Sequence, residues 1–311
     1  MPGLIGRGLA ALLALWLSGC AAPQATALRE RPLGLPTAAT VAGVPFYSQA
    51  DAYCGPASLA MALTWSGLPV SQEEVARQVF VANRDGTLRS DMIGGARRHG
   101  RLAVPLDELR GVLGELAAGH PVIVFQNLGL SWYPRWHYAV AVGYDLDAGE
   151  IHLRSGDQER QVLSLHTFEH TWARGGHWAL AVLPPDRLPA TVPAAEVMRA
   201  AFALERGGHP EAAAATYAAM TARWPNDPKA WIGLGNLRHA VGDFAGAAHA
   251  FRGAVEADSQ MAEAWNNLAV ALADGGRPRQ ALAAVREAIR LDPEAGTFRE
   301  TEREIAEAMA R

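Results

Sequence analysis

The hydrophobic pattern changes texture along this chain. A first apolar block, Gly8 to Leu17, is unbroken by charge. A helical texture follows. Leu59, Ala60, Ala62 and Leu63 fall near one side of a run over 54–66, and Gly67 with Pro69 ends it. Ser71-Gln72-Glu73-Glu74 has the form of a capping box and predicts a second helix to about Val81. Residues 83–86 read as a loop, and 90–99 and 106–118 as two further helices. Beyond Pro121 the runs become short and rich in β-branched residues. They predict strands at 121–126, 137–144, 151–154, 161–165 and 177–183, with a hairpin turn over 145–150. Helices first and strands afterwards predict an α+β domain over 41–188.

Pro184, Pro185, Pro189 and Pro193 mark a linker, and a different periodicity begins after it. Trp231 and Trp265 are 34 positions apart, as are Leu234 and Leu268, Gly242 and Gly276, Ala247 and Ala281, and Ala254 and Ala288. Val197, Ala200, Gly208, Ala213 and Met220 extend the series backwards. This period resembles the tetratricopeptide repeat and implies three antiparallel helix pairs over 194–295 with a charged capping helix from about Glu294, together filling 189–311. Such arrays bind peptides or proteins in a concave groove. Asn236, Arg238, Asn266 and Asn267 fall on the first helices that line it in the family.

The N-terminal block is too short to span a bilayer as a helix and reads as a targeting segment, 1–19, with Arg7 before the apolar run. Its end, Leu17-Ser18-Gly19-Cys20, resembles the lipobox of bacterial lipoproteins, in which the Cys is acylated. Ala21 after it implies, by the same resemblance, the outer membrane and a periplasm-facing protein held by its lipid. Residues 20–40, interrupted by Pro23, Pro32 and Pro36, read as a flexible tether. The net charge of −4 gives no argument for nucleic acid as a partner.

The chain has two cysteines. With Cys20 taken by lipid, Cys54 has no disulfide partner in a compartment where disulfides form readily. Cys54 precedes Gly55-Pro56 at the start of a helical run. Proline is favoured in a first turn, and the partial positive charge of a helix N-terminus favours a thiolate. A structural buried cysteine is the alternative. His137 opens a strand, and Asp157 follows a returning strand that would bring it beside His137. Gln49 lies five residues before Cys54.

Gln49, the string Cys54-Gly55-Pro56-Ala57-Ser58-Leu59-Ala60-Met61, His137-Tyr138-Ala139-Val140 and Asp157 resemble the bacteriocin-processing, double-glycine leader peptidase family over about 44–183. The resemblance implies a papain-like fold with Cys54 as nucleophile, His137 as general base, Asp157 orienting the His ring and Gln49 in the oxyanion hole. It implies peptide or protein substrates and no metal or other cofactor. The family's Asp is usually followed by Pro, whereas Gln158 stands here, so Asp145 and Asp147 remain alternative carboxylates. Leader peptidases of this family are fused to ATP-driven exporters. This sequence has no Walker motif, so their substrate is not carried over. An amidase or acyl transferase built on the same three residues, or a non-catalytic binding scaffold, are the other readings. His166 and His170 share a helical spacing, but HTFEH is not the order of zinc peptidases. Trp132, Tyr133 and Trp136 precede His137 as either a packed loop or an aromatic wall of a cleft.

Overall fold

The computed structural model describes residues 22–30, 34–48, 53–84 and 86–310. The signal segment, Cys20 and Gln49 lie outside them. Two compact units are formed, dividing near Leu183 to Pro193. Among the described residues no helix is long and apolar enough to cross a membrane.

The first unit is a seven-stranded sheet with helices packed on it. Its strands are β1 (Ala38–Thr40), β2 (Leu102–Leu106), β3 (Val122–Asn127), β4 (Trp136–Asp145), β5 (Glu150–Ser155), β6 (Gln158–Ser164) and β7 (Ala179–Leu183). The order is β2-β7-β3-β4-β5-β6, and β1 also pairs with β4. β4 is the hub. β3 pairs with its first half, from Trp136 to Ala141, and β1 with its end, from Gly143 to Asp145. β5 runs antiparallel along the other edge. A side chain at Gly143 would meet the Ala39 carbonyl oxygen at 2.6 Å, so glycine is what lets β1 approach.

Helices α1 (Pro23–Glu30), α2 (Cys54–Trp65), α3 (Gln72–Val79), α4 (Arg89–Arg98), α5 (Leu109–Ala117) and α6 (Leu165–Arg174) complete the unit. α2 is apolar on all sides and buried from Cys54 to Leu63, as the central helix of a core must be. Ser71 caps α3 by accepting from Glu74 N at 3.1 Å, as the capping-box pattern predicts. Gly95 lets α4 lie against Leu59 and Val79.

Two expectations need correction. Residues 22–30 and 38–40 are not tether. Pro23 stands at the first position of α1, where its missing N–H costs nothing. Buried Glu169 on α6 accepts from Gln24 N at 3.0 Å and Ala25 N at 2.6 Å, holding the N-terminus of α1 to the domain. Gln24 Oε1 in turn accepts from Leu109 N at the start of α5. The second concerns the helix expected over 106–118: Leu106 ends β2, and α5 begins only at Leu109. Pro105 obscured this strand, yet β2 is an edge strand, where a missing ladder donor is tolerated.

The second unit contains α7 (Ala194–Arg206), α8 (Pro210–Arg223), α9 (Pro228–Ala240), α10 (Phe244–Ala257), α11 (Ala262–Asp274), α12 (Pro278–Leu291) and α13 (Gly296–Ala310). Helix starts recur every 34 residues, at 194, 228 and 262 and at 210, 244 and 278. Gly208, Gly242 and Gly276 keep the same spacing, each with positive φ where a helix pair turns. Trp231 and Trp265 repeat one bond, from indole N–H to the carbonyls of Pro225 and Ser259. Small residues opposite rings allow close packing: a side chain at Gly235 would meet Phe251 at 2.5 Å.

Within the first unit, Glu115 is fully buried beside His120, Oε2 to Nδ1 at 2.7 Å, and its other oxygen accepts from Thr191 N and Oγ1 at 2.8 and 2.7 Å. Burial opposes ionisation, but the hydrogen bonds from His120 and Thr191 outweigh it and hold the carboxyl below its ordinary value. A depressed folded-state value adds stability above the unfolded carboxyl range, about pH 4.3, which is lost as pH falls through the lower folded value. Glu115→Gln is therefore expected to lower the melting temperature at pH 7 and to flatten its fall below about pH 4.3, as read by thermal denaturation across pH. An unchanged acid limb would contradict this role.

Candidate active site

Cys54 is the first residue of α2, 8% exposed, with Tyr53 before it at the N-cap position. The N-cap residue Tyr53 offers no side-chain bond to this helix end, and no acidic residue lies in its first turn. Its backbone donors and partial positive charge are thus directed at the thiol end of the helix. Gly55 is required beside it, because a side chain there would lie 2.7 Å from Thr87 Cβ and Oγ1. Tyr53 is half-exposed and stacks on Phe80 with centroids 5.0 Å apart.

α2 packs across β4, the strand that carries His137 as its second residue. Tyr138, next to His137, is buried and donates to the Thr87 carbonyl at 3.2 Å. Its phenol is held well above the usual value, first by burial and then by the nearby Cys54, with Asp91 adding and Arg89 opposing. Cys54 therefore lies within electrostatic reach of the start of β4.

His137 Nε2 meets Ser155 Oγ at 2.9 Å. The ladder explains this. Val140 pairs with Arg154, so Ser155 lies across from Ala139, on the same face as His137 and one step along the diagonal. Asp157, expected at this place, is exposed. Ser155 pairs with Gln158 across a two-residue turn, with Gly156 at φ 61 and Asp157 at its tip. The turn ends β5 at Ser155 and carries Asp157 out of line. Asp145 closes β4 and accepts from Ala148 N at 2.9 Å, while Asp147 lies in the following turn. Ser155 was missed in the sequence, yet Gly-Asp is a hairpin-turn pair, and reading it so would have ended the strand one residue before Gly156.

Between β3 and β4 the chain forms a rigid hairpin. Leu130 and Tyr133 exchange backbone bonds at 3.0 and 3.2 Å, and Leu128 N donates to the Arg135 carbonyl at 2.8 Å. Buried Asn127 accepts from Gly129 N and Arg135 N, both at 2.9 Å, and Arg174 donates twice to its carbonyl. A side chain on Gly129 would strike the Tyr133 carbonyl oxygen at 2.4 Å. Trp136 stacks on Phe125 at 5.3 Å, with the Arg89 guanidinium 4.8 Å from the Phe125 centroid. This scaffold displays Trp132 at 80% exposure and Tyr133 at 74%, together with Leu128, Leu130 and Trp136. Five large apolar side chains are thus exposed on one ordered frame.

His166 and His170 are neighbours on α6, with ring centroids 5.3 Å apart. Glu169 between them is spent on the N-terminus of α1. Among the described residues no group of three potential ligands forms there. In the second unit, Asn236, His239, Phe251 and Asn267 line a pocket, and His239 bonds to Asp274 of the next repeat at 2.7 Å.

Residues 41–179 match the Peptidase C39-like family, and residues 194–237 and 234–296 match tetratricopeptide-repeat families. No curated protein matches the chain. Among solved structures, a C39-like peptidase from Bacillus anthracis is 20% identical, aligned over 48% of this chain and 98% of its own, with a TM-score of 0.41. The first tetratricopeptide domain of human RPAP3 is 17% identical, over 37% and 90%, with a TM-score of 0.35. The chain joins a domain of the Peptidase C39-like family to a series of tetratricopeptide repeats.

Proposed function

We propose that the first unit is a cysteine peptidase with Cys54 as nucleophile and His137 as its base. The observation that carries this is the pairing of a cysteine at the first position of a buried helix with a histidine on the adjoining strand, oriented through Nε2. With Nε2 on Ser155, proton transfer runs through Nδ1. The thiol gives its proton to Nδ1 and the sulfur attacks the peptide carbonyl carbon. The Cys54 N–H and the Gln49 amide stabilise the oxyanion. On collapse the C–N bond breaks and the imidazolium protonates the leaving amine. Water, deprotonated by His137, then hydrolyses the thioester and restores the thiol. No step needs a metal or a nucleotide. The hairpin over 128–136 adjoins the base and provides an apolar wall, which favours peptides with bulky apolar side chains near the scissile bond. The repeats recruit the substrate or a partner protein, the general role of such arrays.

The anchor belongs to this reading. Acylation at Cys20 leaves Ala21 alone between the lipid-bearing residue and Ala22, which is buried. The leash to the folded unit then spans two residue steps, under about 8 Å, and holds the unit at the membrane surface.

Two outcomes are expected. Cys54, read by site-resolved mass spectrometry after brief iodoacetamide treatment at pH 6, alkylates about tenfold or more faster than free cysteine, and His137→Ala removes the excess. A rate equal to free cysteine in both proteins would sink the nucleophile assignment. Cys20→Ser moves the expressed protein from the membrane fraction to the soluble one; unchanged partition would rule out the lipid anchor.

A further inference from the structure

We propose that Ser155 is the positioning residue of this site, orienting His137 through a neutral hydroxyl where the resemblance leads one to expect a carboxylate. This rests on the reading of Cys54 and His137 as nucleophile and base.

Three observations support it. The Nε2 to Oγ distance is 2.9 Å, and Ser155 is only 6% exposed, so water competes poorly for the bond. The backbone that carries the hydroxyl is held from both sides, because β5 is laddered to β4 as far as Arg154 and to β6 up to the Ser155–Gln158 pair. The carboxylate nearest in sequence, Asp157, is exposed at the tip of the turn.

The chemistry differs from that of a carboxylate in one respect. With Nε2 protonated and donating to Oγ, the Nδ1 lone pair is set toward proton acceptance, and ring rotation is restrained. A carboxylate would do the same and also add a charge that favours imidazolium. A hydroxyl supplies orientation and tautomer and brings no charge of its own.

The test uses the full chain and iodoacetamide, with Cys54 read at the peptide level. Ser155→Ala is expected to slow Cys54 alkylation about fivefold to tenfold, the factor that one neutral hydrogen bond represents. Ser155→Thr, which keeps the hydroxyl, restores most of the rate. Asp157→Ala leaves it unchanged. Melting temperatures of all three stay near the parent's, which separates positioning from a structural role. A fast parent with Ser155→Ala equally fast, or with Asp157→Ala slowed instead, overturns the role of Ser155 while leaving the nucleophile in place. A parent no faster than free cysteine overturns the nucleophile, and Ser155 with it.

Discussion

The antiparallel ladder around β4 is the constraint on which the first unit depends. β3, β5 and β1 all draw their register from this one strand, and α2 packs across it. Register in a ladder is discrete, and a slip of one residue would turn every side chain to the other face. Fixing Val140 opposite Arg154 therefore also fixes which side chain can meet His137. The Nε2 contact with Ser155 is a consequence of that pairing. So is the place of Asp157 at the exposed tip of the turn, since the ladder closes in a turn whose first residue is glycine.

The helices and strands that show a clean period were legible in the sequence, because burial on one side leaves a 3.6- or 2-residue trace. α3, α4, β5 and β6 belong to this class, while α2, β3, β4 and β7 were legible as continuous apolar runs. β2 hid behind Pro105, and its edge position, which makes proline tolerable, is a property of the whole sheet. α1 hid for a similar reason. Its eight residues carry little helical signal of their own, and it is held by Glu169, far away in sequence. Cys54 and His137 stood out by residue type and context. The partner of His137 did not, because a serine on a strand carries no chemical flag and the acidic residue two places on drew attention away from it.

In the second unit the sequence period and the structure coincide most closely, because each repeat meets the same packing problem. The glycines that turn each pair recur, and so do the indole bonds that tie Trp231 and Trp265 to the preceding loops. The family profile of this half indicates protein binding in general, while the first half carries the candidate chemistry. Within that first half, the hairpin over 128–136 is the feature that no fold requirement explains. Asn127 and Arg174 hold it rigid, yet its large side chains face water.

The most direct measurement is of bond cleavage itself. The full chain is given a randomised peptide library, the products are sequenced, and the protein is examined by mass spectrometry for a hydroxylamine-sensitive acyl adduct on Cys54. Cuts flanked by bulky apolar residues, an adduct confined to Cys54, and loss of both in Cys54→Ala are the expected result. Cleavage that persists in Cys54→Ala, or an intact library with no adduct on the parent protein, would contradict it.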